Sequence, residues 1–131
     1  MRRWFLLLAI SALAAPALAA QPAAQAGQRF VVFFQEWSAG LDHPALATIA
    51  AAAHVAERVP TAAVVVTGYA DPLGSVQANI YLTETRAQVV TDQLVTDGIQ
   101  RSRIQQHAKG KVPYQLTSQE SRRVLISIGG K

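Results

Sequence analysis

Residues Thr67 to Leu94, TGYADPLGSVQANIYLTETRAQVVTDQL, decide how the rest of the chain is read. The segment leading into them, Ala62 to Thr67, carries Val64, Val65 and Val66 in a row, an apolar run that fits a central strand better than an edge. That strand delivers an acid, Asp71, into a Pro72-Leu73-Gly74 turn. Ser75 is then a suitable N-cap, and Gly98 a suitable C-cap, for a long helix ending near Asp97. At about 100° per residue, Ile80, Thr83, Ala87, Val90 and Leu94 fall within about 80° of one another and define its buried stripe. Arg86 lies about 40° outside Val90, and Asn79 stands on nearly the same line, so an amide and a guanidinium sit two turns apart at the rim of the core. Gly68 marks a place where the strand backbone must bend or pass close to a neighbour.

Working outward, Phe30 to Phe34 is a short run rich in Val and Phe that reads as a strand buried on both faces, and Gln35 to Gly40 turns the chain. Asp42-His43-Pro44 opens a helix, with Asp42 at the cap and Pro44 in the first turn, where a missing N–H costs nothing. Leu46, Ile49, Ala50, Ala53 and Ala56 or Glu57 give that helix a narrow apolar face, and Pro60 stops it after about Arg58. Ile99 to His107 leads into a third strand with Ile104 as its buried anchor, and Val124 to Ile128 is the closing strand. The order βαβαββ implies an α+β fold, a two-layer sandwich with both helices on one face of a small mixed sheet.

A chain of 131 residues, half of them hydrophobic, is long enough for one domain with a real core. Residues 1–20 have the parts of a secretory signal peptide: Arg2 and Arg3, the apolar run from Trp4, and small residues at Ala17-Leu18-Ala19. An uncleaved anchor is the competing reading, but Trp4 to Ala20 is short for a bilayer span and is broken by Pro16. Residues 21–28, QPAAQAGQ, read as a disordered leader, leaving 29–131 as the folded domain. There is no cysteine, hence neither a disulfide nor a lipid anchor on an N-terminal Cys. Removing Arg2 and Arg3 leaves 10 basic against 8 acidic residues, a net charge of +2. That excess is weak, no aromatics interleave the basic pairs, and an exported chain does not meet nucleic acid. Arg101-Ser102-Arg103 and Lys109-Gly110-Lys111 read as solvated surface.

The spacing around Asp71 carries more information than any of these residues alone. Ten residues separate Asp71 from Leu82-Thr83, followed at fixed intervals by Arg86-Ala87, Val90 and Leu94, with Arg122-Arg123-Val124 before the last strand. This pattern resembles the peptidoglycan-associating motif of the OmpA-like domain family, over Phe30 to Ile128. The resemblance implies a periplasmic or cell-wall-associated module that binds the peptide stem of peptidoglycan noncovalently, with Gln35 to Gly40 beside the ligand pocket. It further implies that Asp71 holds the ammonium and Arg86 the carboxylate of a diaminopimelate head group, the planar guanidinium giving two parallel hydrogen bonds where lysine gives one point charge. Asn79, Arg122 and the strand end at Ala70 take supporting places.

Two departures stand against the family pattern: Ala70 where Thr is usual and Ser121 where Asn is usual. A shortened, basic stretch, Lys109 to Pro113, is a third. They keep a second reading open, an envelope protein-protein adaptor with a degenerate pocket. Taken singly, Asp71 before a proline also reads as a turn opener, and Arg86 as a solvated helix residue. His43, His54 and His107 have no ligand spacing, so no metal is expected. No nucleophile elbow or carboxylate pair marks an enzyme, and no cofactor motif is present.

Overall fold

The computed structural model describes residues 27–70, 75–111 and 122–129. The elements are β1 (Gln28–Phe33), α1 (His43–Arg58), β2 (Val64–Ala70), α2 (Val76–Thr96), a 3-10 turn (Arg101–Arg103), β3 (Ile104–Lys111) and β4 (Arg123–Ile128). The four strands form one sheet in the order β1-β4-β2-β3. β4 runs antiparallel to both β1 and β2, whereas β2 and β3, joined through α2, are parallel. This is the α+β sandwich expected from the element order. The expected signal peptide, the expected leader before Gly27, Asp71 to Gly74 and Ser121 lie outside the described residues.

Helix ends follow local chemistry. Asp42 Oδ1 accepts from the Ala45 N–H at 2.9 Å, and Ser75 Oγ accepts from the Ala78 N–H at 3.1 Å, each satisfying a donor that the first turn leaves without an intrahelical partner. α2 ends in a Schellman arrangement. Gly98 has φ +104°, its N–H reaches Val95 O at 3.0 Å, and the Ile99 N–H reaches Leu94 O at 3.0 Å, while both Ile99 and Leu94 are buried.

The register sets which side chains face the helices. Val64 and Val66 pair with Ile128 and Ile126, while Val32 pairs with Val124, and all of these are at most 1 % exposed. α1 packs on them with Ala45, Ile49, Ala52, Ala53, Val55 and Ala56, and α2 with Thr83, Ala87, Val90 and Leu94. Short alanine side chains let helix and sheet approach closely. At Gly68 the approach is closer still: a Cβ there would stand 2.7 Å from Thr83 O and 2.9 Å from Thr83 Cγ2. The glycine expected to pass a neighbour does so beneath α2.

Several expectations are corrected. β1 is an edge strand, with alternating burial that leaves Val31 and Phe33 substantially exposed; an unbroken apolar run does not reveal how many neighbours a strand has. Ile80 is 45 % exposed although it falls within the helical stripe. On α1, Ala45 and Ala52 are buried while Leu46 is only half-buried and Ala50 is exposed, so the inward face is rotated from the one expected. Ile104 is half-buried, and Ile99 is the buried anchor before β3. Arg103 is not solvated surface. Its guanidinium donates to Ala56 O, Val59 O and Ala62 O at 2.8 to 3.1 Å, bringing one charged donor group to three carbonyls at and just after the end of α1.

Candidate functional site

Arg86 is the centre of the candidate site, and its setting follows from where α2 lies. Because Gly68 and Ala87 bring that helix down on the sheet, the guanidinium is drawn inside, and Arg86 is only 1 % exposed. A buried cation needs hydrogen-bond acceptors to offset the loss of water. The turn after β1 supplies two of them: Nε donates to Ser38 O at 2.7 Å and Nη2 to Gln35 O at 2.8 Å. The Phe34 ring lies 5.2 Å from the guanidinium carbon, within cation–π range. Arg86 is therefore a core residue and not a rim residue, and the sheet-facing side of α2 extends further round the helix than its apolar stripe.

Asn79, expected on the same line, is likewise buried at 2 % exposure, with Nδ2 donating to Ser75 O at 3.0 Å. Its own carbonyl accepts from the buried Thr83 hydroxyl at 2.6 Å, so amide, hydroxyl and guanidinium descend along one inner face of α2. Arg122 enters from the start of β4. It is half-buried, its Nε donates to Phe34 O at 3.4 Å, and its carbonyl accepts from the Phe34 N–H at 2.9 Å. Ala70 is the last residue of β2, paired with Lys111 across a break in register after Gly68. Asp71 lies outside the described residues.

Two of the expected residues, Arg86 and Arg122, thus converge on one short segment, Phe34 to Ser38, from different elements. Gln35 to Gly40 were expected beside a pocket; the part played by Phe34 and the way the segment acts were not read. Gln35 and Ser38 act through main-chain oxygens, which no side-chain pattern reveals, and Phe34 acts through its ring. Along the adjoining edge of β1 and the first turn of α1 runs a groove of about 430 Å³, lined by Val32, Phe34, Gln35, Asp42, Ala45 and Arg122 among others. Arg122 lines this groove, whereas Arg86 does not and meets only its Phe34 and Gln35 neighbours; a guanidinium in such a groove is suited to binding a small anionic or zwitterionic group. Among the described residues no cluster of three or more His, Cys, Asp or Glu could hold a metal ion, and no helix is long and apolar enough to cross a membrane.

This architecture recurs in proteins of known structure. The peptidoglycan-associated lipoprotein from Burkholderia pseudomallei superposes with a TM-score of 0.70 at 21 % identity, over 76 % of this chain and 89 % of that one. The OmpA-like domain of FopA1 from Francisella tularensis subsp. tularensis SCHU S4 gives 0.68 at 21 % identity, over 76 % and 70 %. The periplasmic domain of Helicobacter pylori MotB (residues 78–256) gives 0.65 at 18 % identity, over 79 % and 76 %. At these identities the likeness is one of fold. No curated protein sequence matches the chain. The OmpA family model matches residues 33–124, most of the described domain, and the chain belongs to the OmpA family.

Proposed function

We propose that this chain is a non-catalytic envelope module that binds peptidoglycan through the stem peptide, gripping the amino acid head of diaminopimelate between Asp71 and Arg86. The observation that carries the reading is the buried Arg86 guanidinium, held in place by Ser38 O and Gln35 O on the helix that follows Asp71. Pre-set in this way, it loses little conformational freedom when a carboxylate arrives, and preorganisation of that kind raises affinity without new contact area. Asp71 supplies the opposite charge for the ammonium. Asn79 and Arg122 support the site, Asn79 from the same helix face and Arg122 through Phe34, while Ala70 ends the strand that leads to Asp71. The reading places the protein in the periplasm, exported by a cleaved signal peptide and associated with the cell wall.

Sedimentation with purified sacculi tests this. The native protein is expected in the pellet, and Asp71→Asn and Arg86→Lys in the supernatant. Muropeptides bearing diaminopimelate should compete, and those bearing lysine, which lack the second carboxylate, should not. Equal competition by both refutes the head-group clamp. If the native protein stays in the supernatant, the adaptor reading replaces wall binding.

A further inference from the structure

The turn that anchors Arg86 carries an unusual residue at its tip. The Ser38 N–H reaches Gln35 O at 3.2 Å, closing a four-residue turn over Glu36 and Trp37, and Trp37 occupies the third position with φ +55°. That is the left-handed position of a type II turn, which glycine or asparagine fills without strain and a bulky L residue seldom adopts. The indole is also 60 % exposed, so the ring is not held there by core packing. Neither the turn nor the core accounts for a tryptophan at this position. Strained backbone combined with an exposed aromatic points to contact with something outside the fold.

What it would touch follows from its neighbours. The carbonyls at both ends of the turn, Gln35 O and Ser38 O, are the two that accept from Arg86, and the preceding residue, Phe34, is tied to Arg122. Trp37 is thereby carried on a rigid turn beside the guanidinium. Resting on the peptidoglycan reading above, we propose that Trp37 is a specificity-determining residue of this site. Its indole would cover the three-carbon chain that joins the gripped diaminopimelate head to the rest of the stem. The head is recognised by charge and the chain by apolar contact, so an amino acid head on a shorter or absent chain would bind more weakly.

The protein itself provides the probe. Trp37 and Trp4 are its two tryptophans, so in an exported Trp4→Phe protein the indole emission reports Trp37 alone. Titration with the sugar-free stem tripeptide containing diaminopimelate should shift that emission towards the blue. Trp37→Phe, which keeps a ring, should bind within about threefold of native. Trp37→Asn, which suits the turn but has no ring, should melt at a higher temperature yet bind roughly tenfold more weakly, the loss expected when apolar contact of this size is removed.

Opposite signs for stability and binding are the signature. The proposal is overturned if the emission does not change at saturation, or if Trp37→Asn binds as tightly as native while Asp71→Asn does not; in that last case the head-group clamp survives without the aromatic contact. It is also overturned if Trp37→Asn loses stability together with binding, since the ring would then serve the fold. A loss seen with disaccharide muropeptide but not with the tripeptide assigns the ring to the glycan and overturns the chain contact. Failure of the native protein to bind either ligand or sacculi removes the wall reading and this inference with it.

Discussion

Gly68→Ala is the substitution that best tests how the site is positioned. Gly68 does not have a positive φ, so alanine suits the backbone and, by restricting the unfolded chain, contributes about 0.4 to 1 kcal/mol of stability. Against this, the added methyl would stand 2.7 Å from Thr83 O and 2.9 Å from Thr83 Cγ2, well inside ordinary contact at 3.4 Å or more. Overpacking of this kind costs about 1 to 3 kcal/mol, and because the nearest atom is main-chain oxygen within a helix, the upper half of that range applies. The net loss is about 1 to 2.5 kcal/mol, equivalent to roughly 4 to 20 °C in Tm for a domain of this size.

α2 must then retreat at Thr83, one turn before Arg86, and the hydrogen bonds at 2.7 and 2.8 Å to Ser38 O and Gln35 O would stretch towards the limit of useful geometry. Thermal melting and sacculus binding on the same preparation measure both effects. Thr83→Ser in the Gly68→Ala background removes the Cγ2 contact but not the one to the carbonyl, so it should recover less than half of the lost Tm. A Tm for Gly68→Ala that is unchanged or higher would refute the claim that this close approach sets the depth of Arg86.

Arg103→Ala should destabilise by about 2 to 3 kcal/mol in a denaturant titration, because three carbonyls lose a charged donor at once, and Arg103→Lys should recover only part, since an ammonium cannot fork among them. Arg101, two residues earlier, gives the contrast. Its pair with Asp92 at 2.9 Å is more than half exposed on both sides, so Arg101→Ala should change stability by less than about 0.5 kcal/mol, and less again in high salt. The hydrogen bond from Arg101, then that from Gln88, holds the Asp92 carboxyl below its ordinary value. A depressed carboxylate stabilises the fold above its unfolded pKa, and the contribution disappears as pH falls through the folded value; melting curves across the acid range should show only this small step and should lose it in Arg101→Ala.

What could be read in the sequence was chemistry that is settled within a few residues. Asp42, Ser75 and Gly98 cap their helices as their types and positions require, because a cap needs only its own turn to form. Gly68 was legible for a similar reason, as a glycine at a strand position implies that something lies close. The burial of Arg86 was not legible. A helical stripe drawn through apolar residues leaves an arginine outside by definition, while Ile80 is admitted by type and proves to be exposed. Nor could composition separate Arg101 from Arg103, since their difference lies in carbonyls at and just after the end of α1, more than forty residues away in the chain.

The same limit explains why the site was visible only in part. Arg86 and Arg122 were marked by type and spacing, whereas the groups that hold Arg86 in place are peptide oxygens of Gln35 and Ser38. Any residues at those positions would present the same oxygens, provided the turn forms. The side chains on the turn are therefore free of that task, and a residue there that strains the backbone, as Trp37 does, carries information about something other than the fold. Arg86 ties the turn to α2, and the Phe34–Arg122 hydrogen bonds tie its base to β4. A substitution that loosens either tie should therefore weaken binding more than its effect on Tm alone would account for, because it releases a surface whose value to a ligand lies in being held still.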